Sequence, residues 1–179
     1  LSDNSSLVLA GDPVPDRKWA ALVAREIQGT KGQYRVWGST VAKCPVAAKT
    51  PEESGFVLVA DLSPTVSFST TLSNDMTAAV VPNDMVGLCE PAGPVRYYRG
   101  TITAVNGTDG ENRTTNTLKV DEYLRGVVPR ESPASWGDSA NGAGMNALRA
   151  QAVAARSYAL ASNGYSYAKL CDTQDCQVY

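Results

Sequence analysis

The pattern of apolar residues changes near Val120, and this change restricts the possible folds more than any other feature. Before it, short β-branched and aromatic runs alternate with turn residues, which is typical of small antiparallel sheets. After Val120 the apolar residues follow helical spacing instead. The sequence therefore predicts an α+β fold, with a small, mainly β part over residues 1–94 and a helix-containing part over residues 95–179. The predicted strands lie at 34–37, 56–60, 65–70, 77–81 and 95–105, and a turn at 106–110 leads into a returning run at 115–120.

One early segment, residues 17–28, has an ambiguous pattern. Its apolar residues are spaced as on one face of a helix, and a glycine follows that would end a helix. An extended strand fits the same residues, so the β-rich part contains either one early helix or none. The residues concerned are Trp19, Leu22, Val23 and Ile27.

Two helices are expected after Val120. The first covers residues 121–127, with acidic residues in its first turn, and Pro129 ends it because proline disrupts a helix interior. The second covers residues 145–161, is rich in alanine and ends at Asn163-Gly164. Small residues form its apolar stripe, so another element can approach closely, and polar side chains border that stripe. The stripe is Leu148, Ala152, Ala155 and Ala159, with Gln151 and Tyr158 on one flank and Arg156 on the other.

The complete absence of histidine excludes several classes of active site. Ser-His-Asp triads, Cys-His pairs and histidine-containing metal sites all require it, so acid–base chemistry must rest on Asp, Glu, Tyr or Lys. The 16 basic and 18 acidic residues are interspersed, with a net charge of -2, which indicates no nucleic-acid partner. No apolar run approaches the length of about 18 residues that spanning a membrane requires.

Four cysteines are present, at positions 44, 89, 171 and 176, and none forms a CxxC pair. A four-cysteine zinc site therefore lacks its usual spacing, and two disulfides are favoured over free buried thiols. Of the three possible connectivities, Cys44–Cys89 and Cys171–Cys176 is preferred because each pair lies within one segment of the chain. Loop-closure entropy makes these bonds worth about 4 and about 2 kcal/mol. Disulfides indicate a secreted or cell-wall-associated location, outside the cytoplasmic membrane.

Three segments resemble motifs of the SpoIID/LytB family. EYLRGVVPRESPASW at 122–136 resembles that family's EYLxGVVPxExPxSW, and ALRAQAVAARSYA at 147–159 resembles its ALKAQAVAARTYA helix. CDTQDCQVY at 171–179 resembles CDTxxCQVY. Three motifs in the family's order make the resemblance specific over residues 120–179.

The resemblance implies a bacterial cell-wall enzyme, a lytic transglycosylase that cleaves peptidoglycan glycan strands and leaves 1,6-anhydro sugars. The family's catalytic glutamate falls on Glu131 and its helix arginine on Arg156, while Gln151 and Tyr158 occupy supporting motif positions. Some relatives enhance a cell-wall amidase instead, which makes an amidase a candidate partner. No cofactor is implied.

The sequence departs from the family pattern in three places. Additional glycine and asparagine residues between Trp136 and Ala147 predict a surface loop beside the site. Asp175 stands where some members carry a metal-binding histidine, so we expect no metal. The family domain also continues beyond the last residue of this sequence, and we expect a chain extended through it to be more active.

Glu131 has a chemical role that a single carboxylate can fill. One acid protonates the leaving oxygen, and in a lytic transglycosylase the sugar's own C6 hydroxyl attacks C1, so no second carboxylate is needed. We expect a partly buried, non-helical setting, because Glu131 lies between Pro129 and Pro133 and desolvation keeps a carboxylic acid protonated. The alternative is a solvated glutamate paired with Arg130 or Arg125.

The other candidates also have two interpretations each. Arg156 either clamps an acetamido or carboxylate group of the substrate or forms an ion pair with Glu131 or Asp121. Asp121 and Glu122 either join Glu131 in a two-carboxylate hydrolase or simply open a helix. Four aromatic residues either stack on sugar rings or pack in the core: Trp136, Tyr158, Tyr165 and Tyr167.

Two functions of different class remain. The first is a peptidoglycan lytic transglycosylase. The second is a secreted, non-catalytic module that binds peptidoglycan or enhances an amidase, in which Glu131 only contacts a ligand.

Overall fold

The structure, a computed structural model, describes residues 1–2, 6–70, 85–90, 94–173 and 175–177. Over these residues the fold is α+β, as the sequence predicts. Among the residues described, no helix has both the length and the apolar character needed to cross a bilayer. The described strands are β1 Leu7–Leu9, β2 Ala21–Glu26, β3 Tyr34–Ser39, β4 Val57–Leu62, β5 Val66–Thr70, β6 Val86–Leu88, β7 Arg96–Tyr98, β8 Thr101–Asn106 and β9 Asn112–Thr117. The helices are α1 Val120–Glu131, a short 3-10 helix Ala134–Asp138, and α2 Met145–Ala161.

The chain divides into two compact units, Leu1–Leu118 and Lys119–Tyr179, called unit 1 and unit 2 below. This boundary lies later than the one at residues 94/95 that the sequence pattern predicts. The reason is strand pairing: β8 is hydrogen-bonded to β5, and β9 to β8, so this hairpin completes the sheet of the N-terminal strands.

Unit 1 contains three antiparallel sheets in its described residues. Their strand orders are β1-β5-β8-β9, β2-β3-β4 and β6-β7. One buried cluster contains residues of both larger sheets, with Leu9 and Val66 from the first and Tyr34 and Val36 from the second. Burying side chains of this size stabilises the fold by about 1.5–3 kcal/mol each, so this cluster makes a substantial contribution to the stability of unit 1.

The helical alternative for residues 17–28 is wrong, and the strand alternative is right. β2 pairs antiparallel with all six residues of β3. Leu22 and Ala24 pack against the cluster just described, whereas Ala21 and Val23 pack with Trp37 and Phe56 in a second cluster. Because β2 contributes apolar residues to two clusters, its adjacent apolar residues imitate helical spacing.

Most of the other predicted strands are confirmed. Those at 34–37, 56–60 and 65–70 correspond to β3, β4 and β5, and the turn at 106–110 joins β8 to β9 in the expected hairpin. The run at 77–81 lies outside the described residues. The run at 95–105 is divided into β7 and β8.

Gly100 marks this division between β7 and β8. Its φ of +83° is a conformation that side chains rarely adopt, and a Cβ at this position would collide with the carbonyl oxygen of Thr117. The backbone at Thr117 therefore approaches so closely that only glycine fits at position 100. The run at 95–105 consequently does not form one continuous strand.

Unit 2 is built on the packing of α1 and the 3-10 helix against α2. The predicted bounds of α2, residues 145–161, are confirmed. Its stripe is buried as expected, since Ala155 and Ala159 are buried and Leu148 and Ala152 are partly buried.

The predicted end of the first helix at Pro129 is wrong. α1 continues to Glu131 with Pro129 inside it. Proline removes one helical N–H donor, but the backbone N–H of Ser132 still donates to the Val128 carbonyl oxygen at 2.9 Å. That bond closes the last turn, so Glu131 stands on a helix and not in a loop.

The predicted surface loop between Trp136 and Ala147 is formed. Ala140, Asn141 and Gly142 follow one another with positive φ, and the N–H of Gly144 donates to the Ser139 carbonyl oxygen at 3.1 Å. The chain thus turns back sharply and enters α2 at Met145.

Candidate functional site

Glu131 is the last residue of α1, and it is exposed. The helix end therefore positions the backbone of the candidate acid, as the bond from Ser132 to Val128 shows. The expected partial burial of Glu131 is not observed. Two nearby residues of α1 differ in burial: Val127 is fully buried, whereas Arg130 is exposed like Glu131.

Tyr123 lies on the buried face of α1 and interacts electrostatically with two of the candidate residues, Glu131 and Tyr158. Its side chain is 9% exposed. Burial, together with smaller electrostatic contributions from Tyr158 and Glu131, raises the pKa of the Tyr123 hydroxyl from 10.0 to about 12. Glu131 on α1 and Tyr158 on α2 are therefore both within electrostatic reach of the Tyr123 hydroxyl.

The Tyr123 hydroxyl donates a hydrogen bond of 2.7 Å to Oε1 of Gln177. Gln177 is partly buried and directly follows Cys176, which is disulfide-bonded to Cys171. The N–H of Cys171 also approaches Sγ of Cys176 at 3.0 Å. The third motif is therefore closed into a loop and tied to α1 through Tyr123.

Arg156 lies at the opposite end of α1 from Glu131. Its Nη1 donates to Oδ1 of Asp121 at 2.7 Å, in an ion pair whose two side chains are each about half exposed. Asp121 and Glu131 are ten residues apart in one helix, which places their backbones about 15 Å apart along its axis. Of the interpretations open for Arg156, the structure contains the ion pair with Asp121.

The same spacing bears on the two-carboxylate alternative. Glycosidases that use paired carboxylates hold them about 5–5.5 Å apart, or about 6.5–9.5 Å apart when a water molecule lies between. Asp121 is too distant along α1 for either arrangement, and it is paired with Arg156. Asp121 and Glu122 both lie in the first turn of α1, as the helix-opening interpretation predicts. Glu122 is 1% exposed there, with Nε of Arg125 3.7 Å from its Oε1.

The aromatic candidates are mostly exposed and do not form a core. Trp136 is 51% exposed on the 3-10 helix, and Tyr158 is 44% exposed on α2. Tyr165 and Tyr167 stack on each other, with ring centroids 5.4 Å apart. Exposed rings of this kind are available for contact with a ligand. Gln151 is partly buried on the flank of the α2 stripe.

Both cysteine pairs favoured by the sequence are present as disulfides. Cys44–Cys89 lies in unit 1 and Cys171–Cys176 in unit 2. Tyr123 and Gln177, by contrast, belong to the quoted motifs but receive no role from sequence reasoning. The burial of Tyr123 could have been predicted, because Tyr123 and Val127 are four residues apart and share one apolar helix face.

These features describe an α+β protein in which two packed helices and a disulfide-closed segment carry an exposed glutamate together with tyrosine, tryptophan and amide side chains. In the comparisons, residues 108–179 match the family model described as SpoIID, stage II sporulation protein. The resemblance predicted from the motifs is thereby confirmed for this segment. The match supports a relation to sporulation and to the bacterial cell wall. No curated protein and no solved structure matches the chain.

Proposed function

We propose that the protein is a peptidoglycan lytic transglycosylase with Glu131 as its catalytic residue. The observation that carries this proposal is the family match over residues 108–179, which contains all three motifs and Glu131 itself. The two disulfides are compatible with action outside the cytoplasmic membrane.

The reaction uses one carboxylate twice. Glu131 as an acid donates its proton to the glycosidic oxygen, the bond from C1 to that oxygen breaks, and positive charge develops at C1. The C6 hydroxyl of the same sugar then attacks C1, and Glu131 takes up the hydroxyl proton. A 1,6-anhydro ring forms, and the acid is regenerated without water. The distance of Asp121 from Glu131 along α1 supports this one-carboxylate chemistry.

The substrate contacts come from the surface around Glu131. The exposed Trp136 and Tyr158 can stack on sugar rings, because aromatic faces suit the apolar faces of sugars. Gln151 can offer an amide to a polar sugar group. We assign Arg156 a structural role: its half-exposed side chain holds α1 in place through the ion pair with Asp121.

One observation favours a second candidate, a non-catalytic module that binds peptidoglycan or enhances an amidase. Glu131 is exposed, whereas catalytic acids are usually desolvated. An exposed carboxylate is sufficient for a ligand contact.

The deciding experiment compares wild type with Glu131→Gln on purified glycan strands, with mass spectrometry of the products. Glutamine keeps the shape but has no transferable proton, so we expect cleavage to fall by about 10²–10⁴-fold with folding preserved. Glu111→Gln, at an exposed position in the β8–β9 turn, is the matched control and should cleave like wild type.

Three outcomes contradict the assignment in different ways. Equal cleavage by Glu131→Gln removes Glu131 from the mechanism. Products with ordinary reducing ends indicate attack by water and a hydrolase. Binding of glycan strands by both proteins, with cleavage by neither, supports the module.

An additional comparison tests the role given to Arg156. Asp121→Asn removes the ion pair and leaves Arg156 in place. If Arg156 acts through α1, Asp121→Asn and Arg156→Gln should lower activity by similar factors. A much larger loss for Arg156→Gln would show that Arg156 contacts the substrate.

A further inference from the structure

Gln177 directly follows the disulfide-closed segment 171–176, and its side chain is tied to α1. The preceding residue, Cys176, is fixed by its bond to Cys171, and the N–H of Cys176 donates to the Thr173 carbonyl oxygen at 3.1 Å. The Gln177 side chain is fixed from the other side by the Tyr123 hydroxyl. A side chain held at both ends loses little conformational entropy when it binds a ligand.

The bond from Tyr123 also determines which end of the Gln177 amide is occupied. Oε1 accepts from the hydroxyl at 2.7 Å, so the carbonyl end of the amide is used within unit 2. Among the described residues, no hydrogen bond from Nε2 of Gln177 is formed. The available end is therefore an NH₂ group, which donates hydrogen bonds and accepts none.

Tyr123 acts as a donor under ordinary conditions. Its ring is almost completely buried, and burial raises the pKa of its hydroxyl to about 12, so it keeps its proton near neutral pH. It is also within electrostatic reach of Glu131 and Tyr158. Gln177 thus belongs to the same part of unit 2 as the proposed catalytic residue.

We propose that Gln177 is a specificity-determining residue that donates from Nε2 to the acetamido carbonyl oxygen of an amino sugar, and that Tyr123 is its positioning residue. This inference rests on the proposed glycan substrate. A donor-only group attracts a carbonyl oxygen but is unfavourable beside the ammonium group that replaces the acetamide in a de-N-acetylated sugar. The site therefore distinguishes N-acetylated from de-N-acetylated glycan.

The test is equilibrium binding of the whole protein to two uncrosslinked glycan preparations, one N-acetylated and one chemically de-N-acetylated. Each binding measurement is repeated in the Glu131→Gln background, in which cleavage is expected to be low, so that the comparison does not depend on cleavage. We expect wild type to bind the N-acetylated strands more tightly by about 2–10-fold, the contribution of one hydrogen bond.

Three variants separate the roles. Gln177→Glu keeps an oxygen for the Tyr123 hydroxyl and removes the donor, so folding is preserved and the preference is lost. Tyr123→Phe removes the positioning bond, so the preference decreases. In the double variant Tyr123→Phe with Gln177→Ala, the preference should be no lower than in Gln177→Ala alone, because both changes remove one interaction. Tyr97→Phe in unit 1 is the control, and it should bind like wild type.

Specific outcomes overturn the inference. If Gln177→Glu retains the wild-type preference for N-acetylated strands, the amide donor does not contact the sugar, and the bond to Tyr123 is only structural. If wild type shows no preference, Gln177 does not determine this specificity. If neither preparation binds to wild type, both the inference and the proposed substrate are wrong.

Discussion

Gly144 lies at the end of the surface loop that leads into α2, and its replacement by alanine tests how closely this position packs against the 3-10 helix. Its φ of -59° and ψ of -19° are ordinary helical values, so alanine adopts them without backbone strain. A Cβ at this position, however, would collide with the carbonyl oxygen of Trp136 and lie 3.0 Å from the carbonyl carbon. The obstacle is backbone, which cannot rotate away as a side chain can.

The expected cost follows from that collision. Overpacking of this kind destabilises proteins by about 1–3 kcal/mol. A unit of this size has a total stability of about 3–9 kcal/mol, so the loss is a large fraction of it. Because the Trp136 carbonyl must move, the 3-10 helix that carries the indole ring moves with it. We therefore expect Gly144→Ala to lower both the free energy of unfolding of unit 2 and its affinity for glycan strands.

Two other glycines provide matched controls, Gly137 in the 3-10 helix and Gly142 in the loop. A Cβ at Gly137 would meet only the ends of flexible side chains, Met145 Cε at 3.0 Å and Leu148 Cδ1 at 3.2 Å. Gly137→Ala should therefore cost less than about 1 kcal/mol. A Cβ at Gly142 meets no atom within 4 Å, but its φ is +89°, so Gly142→Ala should cost about 1 kcal/mol through backbone strain alone.

Urea unfolding followed by far-ultraviolet circular dichroism is the assay. Both described α-helices belong to unit 2, so the helical signal reports mainly on its unfolding. The expected order of stability is Gly137→Ala, then Gly142→Ala, then Gly144→Ala as the least stable. If Gly144→Ala is as stable as Gly137→Ala, the close approach of Trp136 does not constrain the loop, and the reasoning is refuted.

Two further predictions concern a titration and a disulfide. The pKa of Tyr123 is raised from 10.0 to about 12 in the folded protein, so its contribution to stability is complete below about pH 10 and is lost as the pH rises towards 12. Between about pH 9 and about pH 11, wild type should lose about 1 kcal/mol of stability that Tyr123→Phe does not lose, as measured by urea unfolding; equal losses would contradict the raised pKa. Replacing Cys44 and Cys89 by serine should lower the stability of unit 1 by about 4 kcal/mol, since the bond closes a loop with a sequence separation of 45 residues. In a Trp136→Phe background, tryptophan fluorescence comes from unit 1 alone, and an unchanged unfolding midpoint would show that this loop needs no crosslink.

The strands and α2 could be predicted because local pattern and tertiary environment agree. In α2, alanines at helical spacing meet a packed neighbour, so periodicity and burial give one answer. In β2 the local pattern and the tertiary environment conflict, because the adjacent residues Leu22 and Val23 pack into different clusters. A strand with apolar residues on both sides cannot be distinguished from a helix by periodicity alone.

The site was predictable to the extent that it depends on motifs. Glu131 and Tyr158 could be singled out by resemblance, but the helical setting of Glu131 could not. Pro129 is a strong stop signal, and only the continued bonding of Ser132 to Val128 shows that the helix continues past it. The pairing of Tyr123 with Gln177 depends on two side chains that are 54 residues apart, and no local pattern contains that information.

The contacts of α1 with the rest of unit 2 explain how an exposed glutamate can still be well positioned. The ion pair of Asp121 with Arg156 is half exposed, so it contributes at most about 1 kcal/mol to stability, but it fixes the rotation of α1 against α2 at one end. Val127 on α1 and Ala155 on α2 are both fully buried, and a small residue such as alanine allows packed helices to approach closely. Glu131 therefore needs no surrounding loop to hold its backbone, because that backbone belongs to a helix that packs against α2.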